Sequence, residues 1–382
     1  MASEKIKVGL VGQGLVGPSH FKGYQTHPHA EVVAVCDLSR ERAETFAKKH
    51  SISEVYTSYD EMLTKADINL VDIATPTHLH VVMTQQAAEA GKHIHCEKPF
   101  CRSILEGQLA VQAVERAGVK LVVGETYVFN TSHVKARSLI EAGEIGKPLQ
   151  IRQRHGPWRR KQTRKPVRRS SGATTWRKDP ELSGGGNYTW IFDHAVHFFA
   201  AAEYFLLDRQ INEVYSVKGT CTSRGERQNE IPIITWTYED TDCQGVWMRA
   251  EPANGKFDSM HGFSTQIIGE RGMVEVLGEG GHNLIWEGKQ QHLVLHREGK
   301  ETQCFRFDEG GDDIWDSDIS YYGQGHINQV HHLIDCVVND TSPRYDGNDG
   351  IHAIQCTLAA IQSAEEERPD QLKEIAPSYT AY

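Results

Sequence analysis

Ile6-Lys7-Val8-Gly9-Leu10-Val11-Gly12-Gln13-Gly14-Leu15-Val16-Gly17 decides the fold of the N-terminal half. Its first six residues are a short, mostly apolar run of the kind that forms a buried parallel strand. The glycine pattern Gly12-x-Gly14-x-x-Gly17 follows at once, and a helix is expected from about Pro18 to Gln25. Gly12 permits a tight turn, Gly14 lets a pyrophosphate approach the backbone, and Gly17 lets helix and strand pack closely. Phosphates would sit on the helix N-terminus, where free N–H groups and the helix dipole favour anions. Gln13, Leu15 and Val16 complete the loop and join the glycines as cofactor-binding candidates.

Working outward, a second strand is expected over Glu31 to Val35, running into Cys36-Asp37. Asp37 lies twenty residues past Gly17. A carboxylate there accepts hydrogen bonds from an adenosine ribose and repels a 2′-phosphate, which favours NAD over NADP. Arg40 is the competing feature, because a nearby arginine can accommodate that phosphate. A glycine motif alone is often a simple turn; strand, helix, second strand and terminal Asp in register argue for a dinucleotide site.

The alternation continues. Helices are expected over Arg40 to Lys49 and over residues 60–66, and a strand over Leu70 to Ala74. Thr75-Pro76-Thr77-His78-Leu79-His80 then reads as a loop at the carboxyl end of a strand, where ligands bind in open α/β sheets. A helix from about Val81 to Ala90 stops at Gly91, a suitable C′ residue. Residues 92–96 make the strand that leads to Glu97-Lys98-Pro99. A helix over Ile104 to Ala117 and a strand over Lys120 to Val123 complete a doubly wound α/β (Rossmann) sheet with parallel strands. Past Gly124 the helices thin out. Residues 149–154, 211–219, 231–239, 244–250, 263–268 and 272–277 read as strands, with two more in 284–307 and helices over 324–339 and 348–366. The chain therefore divides into residues 1–124 for the dinucleotide and an α+β domain, residues 125–382, with a large open, mostly antiparallel sheet. Such a sheet face needs a partner, so a homodimer or homotetramer is expected.

At 382 residues the chain is long enough for two cores. Hydrophobic content of 39% and charged content of 24% are those of a soluble globular protein. The N-terminal residues lack the features of a signal peptide, the apolar segment Trp190 to Leu207 carries too many ionisable groups to span a membrane, and the eight cysteines form no Cys-x-x-Cys pair. Reduced thiols and a cytoplasmic location are expected. Net charge is −10, yet residues 151–178 hold eleven Lys/Arg and no acid. The acidic remainder argues against nucleic-acid binding. The basic run reads either as an arm on an acidic subunit surface or as an anion clamp, since arginine forks match carboxylate, phosphate and sulfonate groups.

Taken in order, these motifs resemble the Gfo/Idh/MocA oxidoreductase family over nearly the whole chain. They are Gly12-x-Gly14-x-x-Gly17, Asp37, Thr75-Pro76-x-His78-x-His80, Glu97-Lys98-Pro99, Trp176-Arg177-x-Asp179-Pro180, Gly184-Gly185-Gly186 and Asp193-x-x-x-His197. The resemblance implies a nicotinamide cofactor, NAD, held by the glycine loop, Asp37, Thr75, Pro76, His78, His80, Glu97, Lys98, Trp176 and Arg177. It also implies that Lys98, Asp193 and His197 are catalytic. One departure is His194, where the family often has a small residue, so either His194 or His197 could face the substrate.

Asp193 and His197 are four apart on an expected helix and share a face. Oxidising a secondary hydroxyl needs a base for the O–H proton while the C–H hydride goes to nicotinamide. An imidazole of ordinary pKa, about 6.5, suits that role at His197. Lys98 could stabilise the developing alkoxide. Tyr127, His155, Trp158, Arg159 and His194 are further substrate-side candidates, and aromatic residues there could equally be core packing. A metal at Asp193, His194 and His197 would lack a nearby Cys or Glu to complete the ligand set, so none is expected there. The function expected is an NAD-dependent oxidation of a sugar or polyol hydroxyl, with an anionic substrate favoured by the basic run. The alternative is a glycoside hydrolase that oxidises C3 transiently, eliminates, adds water and returns the hydride.

Overall fold

A computed structural model describes residues 5–155, 175–223, 226–249, 263–277, 284–286, 289–307 and 321–382. The first half alternates strand and helix, with one short strand, β3, that the sequence reading does not contain: β1 (Ile6–Val11), α1 (Gly17–Thr26), β2 (Ala30–Cys36), α2 (Arg40–His50), β3 (Glu54–Tyr56), α3 (Tyr59–Lys65), β4 (Leu70–Ile73), α4 (Thr77–Glu89), β5 (His93–Glu97), α5 (Ile104–Ala117) and β6 (Leu121–Gly124). Its six strands form one parallel sheet in the order β3-β2-β1-β4-β5-β6. The order reverses at β1, so the carboxyl ends of β1 and β4 open a crevice, and the glycine loop lies in it. Serines set the helix starts: Ser39, Ser58 and Ser103 each accept a backbone N–H from the first turn.

The start of α4 also differs from the sequence reading. The stretch read as a loop up to His80 is helical from Thr77 onward. Pro76 stands at the N-cap with φ −62° and ψ 145°, so the chain turns into the helix directly after it, and His78 and His80 project from the first turn of α4.

The second half contains α6 (Thr126–Phe129), α7 (Thr131–Glu141), β7 (Pro148–His155), α8 (Pro180–Ser183), α9 (Thr189–Phe205), β8 (Ile211–Ser223), β9 (Glu226–Tyr238), β10 (Thr241–Arg249), β11 (Phe263–Gly269), β12 (Gly272–Leu277), β13 (Leu284–Trp286), β14 (Lys289–Gln291), β15 (Leu293–Arg297), β16 (Gln303–Phe305), α10 (Tyr321–Asn339), α11 (Gly347–Glu366) and β17 (Asp370–Gln371). Nine strands form an open sheet, β16-β15-β12-β11-β7-β10-β9-β8-β17, in which β7 and β10 are parallel neighbours and the other pairs, among the described residues, are antiparallel. β13 and β14 make a separate hairpin, so residues 284–307 hold four short strands where the sequence reading has two.

α9 is apolar around most of its circumference, and the structure buries it accordingly. Phe198 stacks on Trp247 at 4.8 Å and Phe199 meets Trp236 edge-on at 5.5 Å, so the helix lies on the inner face of the second sheet. The last two helices return to the first sheet. A methyl on Gly23 of α1 would come within 2.9 Å of Val330 in α10, and one on Gly107 of α5 within 2.4 Å of Ile351 in α11. The cores of the two halves are therefore continuous.

Candidate active site

The glycine loop is shaped by what surrounds it. Gly12 has φ +87°, and a Cβ there would lie 2.5 Å from the Ala74 carbonyl oxygen, so β4 excludes any side chain. Gly14 faces open space, with nothing within 4 Å of the position a Cβ would take. That clearance at the start of a helix fits an approaching pyrophosphate. Leu15 is exposed at the rim and Gln13 is buried. The Gln13 backbone N–H donates to Asp37 Oδ2 at 2.9 Å, and the Ser39 N–H donates to Asp37 Oδ1 at 2.9 Å. Asp37 is thus fixed at the carboxyl end of β2 with lone pairs left for a ribose diol. The arginine beside it is Arg42, at 3.5 Å, whereas Arg40 reaches back along α2 to Glu44. These residues fit NAD.

The β4–α4 turn is tied to the segment that carries Lys98 by His80. Its ring nitrogens lie 2.8 Å from the Thr75 carbonyl and 2.7 Å from the Pro99 carbonyl, across a cis Lys98–Pro99 peptide. Burial keeps the ring neutral, so it donates to one of these carbonyls and packs against the other, and His80 braces the loop against the Lys98–Pro99 segment. His78 is partly buried near Arg102, and burial lowers its pKa.

Lys98 projects from the end of β5. Its Nζ donates to the Asp193 carbonyl oxygen at 2.6 Å and lies 3.3 Å from Asp193 Oδ1. Arg177 Nε is 3.7 Å from Oδ2 of the same carboxylate, and the guanidinium lies over the Trp176 ring at 4.6 Å. Burial alone would raise the Asp193 pKa; Lys98 and Arg177 more than offset this and hold the carboxyl well below the usual range. Asp193 therefore stays ionised and anchors two cations.

The carboxylate partner of His197 was not visible from the sequence. The Nδ1–H of His197 donates to Glu125 Oε1 at 2.5 Å, and Tyr127 stacks on the imidazole at 4.7 Å. Glu125 follows β6 directly, is 1% exposed, and also accepts the Tyr127 backbone N–H. The one sequence cue for it was its place at the carboxyl edge of the sheet. With Nδ1 acting as donor, Nε2 of a neutral His197 is the acceptor.

His194 differs. Its Nδ1 donates to the Trp190 carbonyl at 2.9 Å and its ring stacks on Trp190 at 4.2 Å. Burial pushes its pKa down to about 3, against the pull of Asp193. His155 meets Trp190 edge-on at 4.9 Å and is buried. Tyr127 is also buried and joins His197; His194 and His155 join a separate aromatic group with Trp190 and Trp247. Trp158 and Arg159 lie outside the described residues, as does most of the basic run. Of its described members, Arg152 and Arg154 alternate away from buried His155 on β7 and are exposed, while Arg177 reaches Asp193.

Comparison with known proteins identifies the family. The family description "Oxidoreductase family, NAD-binding Rossmann fold" matches residues 6–125, and "Oxidoreductase family, C-terminal alpha/beta domain" matches residues 137–372. The chain belongs to the Gfo/Idh/MocA family of NAD-binding oxidoreductases. Among its relatives, it is 28% identical over 379 residues to scyllo-inositol 2-dehydrogenase (NAD(+)) of Bacillus subtilis, covering 98% of each chain. It is 26% identical to the uncharacterized oxidoreductase YrbE of the same organism, over 94% of this chain and 95% of that one. Its fold matches a levoglucosan dehydrogenase structure, in complex with NADH and levoglucosan, with a TM-score of 0.76 at 21% identity, covering 97% of this chain and 100% of that one. Among the described residues, no helix is long and apolar enough to cross a membrane.

Proposed function

We propose that this protein is an NAD-dependent dehydrogenase acting on a secondary hydroxyl of a sugar or polyol. The observation that carries the reading is the pairing of two charge-fixed groups at the crevice: Lys98 held by Asp193, and His197 held by Glu125. Bound NAD supplies the hydride acceptor. His197 Nε2 accepts the hydroxyl proton as the C–H bond breaks, and the Glu125 carboxylate stabilises the imidazolium that forms. The Lys98 ammonium stabilises negative charge on the substrate oxygen before the carbonyl is complete. Residues 1–124 provide the cofactor site, and residues 125–382 the substrate wall and the surface for self-association. The scyllo-inositol and levoglucosan dehydrogenase relatives support polyols and anhydrosugars as the first substrates to try. The basic run supports a preference for an anionic member of that class.

The test is NADH absorbance during incubation with inositols, levoglucosan, aldonates, uronates and nitrophenyl glycosides. Net NADH from a sugar or polyol is expected. Nitrophenol release without net NADH would instead assign a redox-neutral glycoside cleavage. A stronger response to neutral sugars than to their carboxylates would remove the anion preference.

A further inference from the structure

Directly behind Lys98 lies a second polar cluster that the reaction does not use. His20 on α1, Glu97 at the end of β5, and His326 and Gln329 on α10 converge there, with exposures of 0%, 7%, 5% and 0%. His326 and Gln329 are three apart on one helix and so share a face. His20 Nε2 lies 3.1 Å from Glu97 Oε1. The Gln329 amide Nε2 is 3.4 Å from Glu97 Oε1, 3.5 Å from His20 Nε2 and 3.5 Å from His326 Nδ1. One NH₂ group cannot serve three neighbours with two hydrogens, and each distance is at the outer limit of a hydrogen bond. The other amide atom, Gln329 Oε1, is buried with no hydrogen-bond partner. The two ends of an amide are interchangeable by a half-turn, which brings the unpartnered carbonyl oxygen to the centre of the cluster.

The spacing then takes on a different meaning. Zinc binds nitrogen and oxygen at about 2.0–2.2 Å in a tetrahedron, whose ligand atoms stand roughly 3.3–3.6 Å apart. Four of the six separations among these atoms, 3.1–3.5 Å, are close to those edges. His20, Glu97 and His326 can present ligand atoms that all lie within 4.8 Å of one another. The far nitrogen of His20 is held by Asp72 Oδ1 at 2.9 Å, the arrangement that orients a ligating histidine. Asp72 is in turn held by the Tyr24 hydroxyl at 2.8 Å and by His95 Nδ1 at 3.1 Å.

We propose that His20, Glu97, His326 and the Gln329 carbonyl oxygen bind one divalent metal ion of the zinc class as a structural site. Two imidazoles favour zinc or a neighbouring transition metal over magnesium or calcium. Four protein ligands close the coordination sphere, as in structural rather than catalytic sites. The ion joins α1, the strand that ends beside Lys98, and the C-terminal helix α10, and so fixes the lysine against both halves of the chain. This site is distinct from Asp193, His194 and His197, where no metal is expected, and it does not rest on the dehydrogenase reading.

The chain is stripped with a chelator, loaded with zinc chloride or cobalt(II) chloride, passed through gel filtration and assayed for metal per chain. One ion per chain is expected, with the visible absorption of tetrahedral cobalt(II). His326→Ala and Gln329→Leu, checked for folding by circular dichroism, should lose that ion, and Asp72→Asn should weaken its Kd by about 10–100-fold. A wild-type chain that emerges without metal overturns the site regardless of how the variants fold. So does metal retained equally by the wild type and both variants, which is surface binding by other histidines.

Discussion

Glu125 Oε1 stands 2.5 Å from His197 Nδ1, across 72 residues of chain, and both groups are almost fully buried. The buried carboxylate fixes which nitrogen carries the proton and favours the imidazolium once it forms. Glu125→Gln keeps the shape but removes the charge. Turnover should fall by about 10²–10⁴-fold, the range for a lost acid–base contribution, with the Kd for NADH unchanged. Steady-state kinetics beside a fluorescence titration of NADH check this. Near-normal turnover in the variant would remove Glu125 from the reaction.

Lys98 and Asp193 form a unit, because the lysine contacts both the backbone carbonyl and the carboxylate of the same residue. Lys98→Ala should lose turnover by about 10²–10⁴-fold while NADH binding is kept, and His197→Ala should do the same. Asp193→Ala should in addition destabilise the fold by roughly 3–5 kcal/mol, since it leaves the partly buried Lys98 and Arg177 without their common anion. Thermal melting separates the two effects: a melting temperature as high as that of the wild type would show that neither cation depends on Asp193.

Most of the strand–helix alternation was legible because its segments carry local signals: apolar runs for parallel strands, and Gly91 in a left-handed turn where α4 stops. The glycine loop and Asp37 form a motif that is local in sequence, and Lys98 and Asp193 were singled out by the family resemblance. Glu125 was not. A lone acid after a strand has no periodicity to mark it, and its meaning comes from a histidine on α9 that only tertiary packing supplies. His80 adds a feature that its motif did not reveal. Its motif marked it as important, and its contacts with two carbonyls make it a brace within the loop. The start of α4 was misplaced because Pro76 closes the loop earlier than the following polar residues suggest.

Asp37 accepts two backbone N–H groups and lies beside Arg42, while Arg40 is engaged by Glu44. Asp37→Ala should therefore weaken NAD binding by roughly 10–150-fold, the loss of one charged hydrogen bond at about 1.5–3 kcal/mol. It should also narrow or reverse the preference for NAD over NADP. Arg40→Ala should change neither affinity. Paired titrations with the two cofactors decide; a wild-type chain that binds both equally would refute the role of Asp37.

His332 on α10 accepts the Arg344 backbone N–H at its Nε2, 2.8 Å away, and so must be neutral when folded. Burial, helped by the Arg344 charge, pushes its pKa down to about 4. The unfolded chain has an ordinary histidine pKa of about 6.5. Between those values the unfolded state binds more protons, so stability rises with pH and the contribution is complete above about pH 6.5. It is lost as pH falls towards 4. Melting temperature measured from pH 4 to 7.5 should show this slope, and His332→Gln should flatten part of it. An unchanged slope in the variant would assign the acid sensitivity to other groups.

The open sheet has one covered face and one bare one, and the alternation along its strands identifies them. On β8, Val214 and Ser216 are buried, with the Ser216 N–H bound to Ser363 of α11, while Tyr215 and Val217 face outward at 40% exposure each. Val217 pairs with Ile233 of β9, and Ile233 with Met248 of β10; these two are 42% and 39% exposed. The result is an apolar row across three hydrogen-bonded strands, the feature a self-associating surface needs. We expect a homo-oligomer that buries this row. Replacing Val217 and Ile233 together by Lys removes two buried aliphatic side chains, about 1.5–3 kcal/mol each, and so should raise the dissociation constant by at least about 10²-fold. NADH binding should survive, because the glycine loop lies on the other sheet. Light scattering over a dilution series reads the outcome directly. A wild-type chain that is monomeric at micromolar concentration, or a double variant whose mass is unchanged, would mean that this face is not the contact.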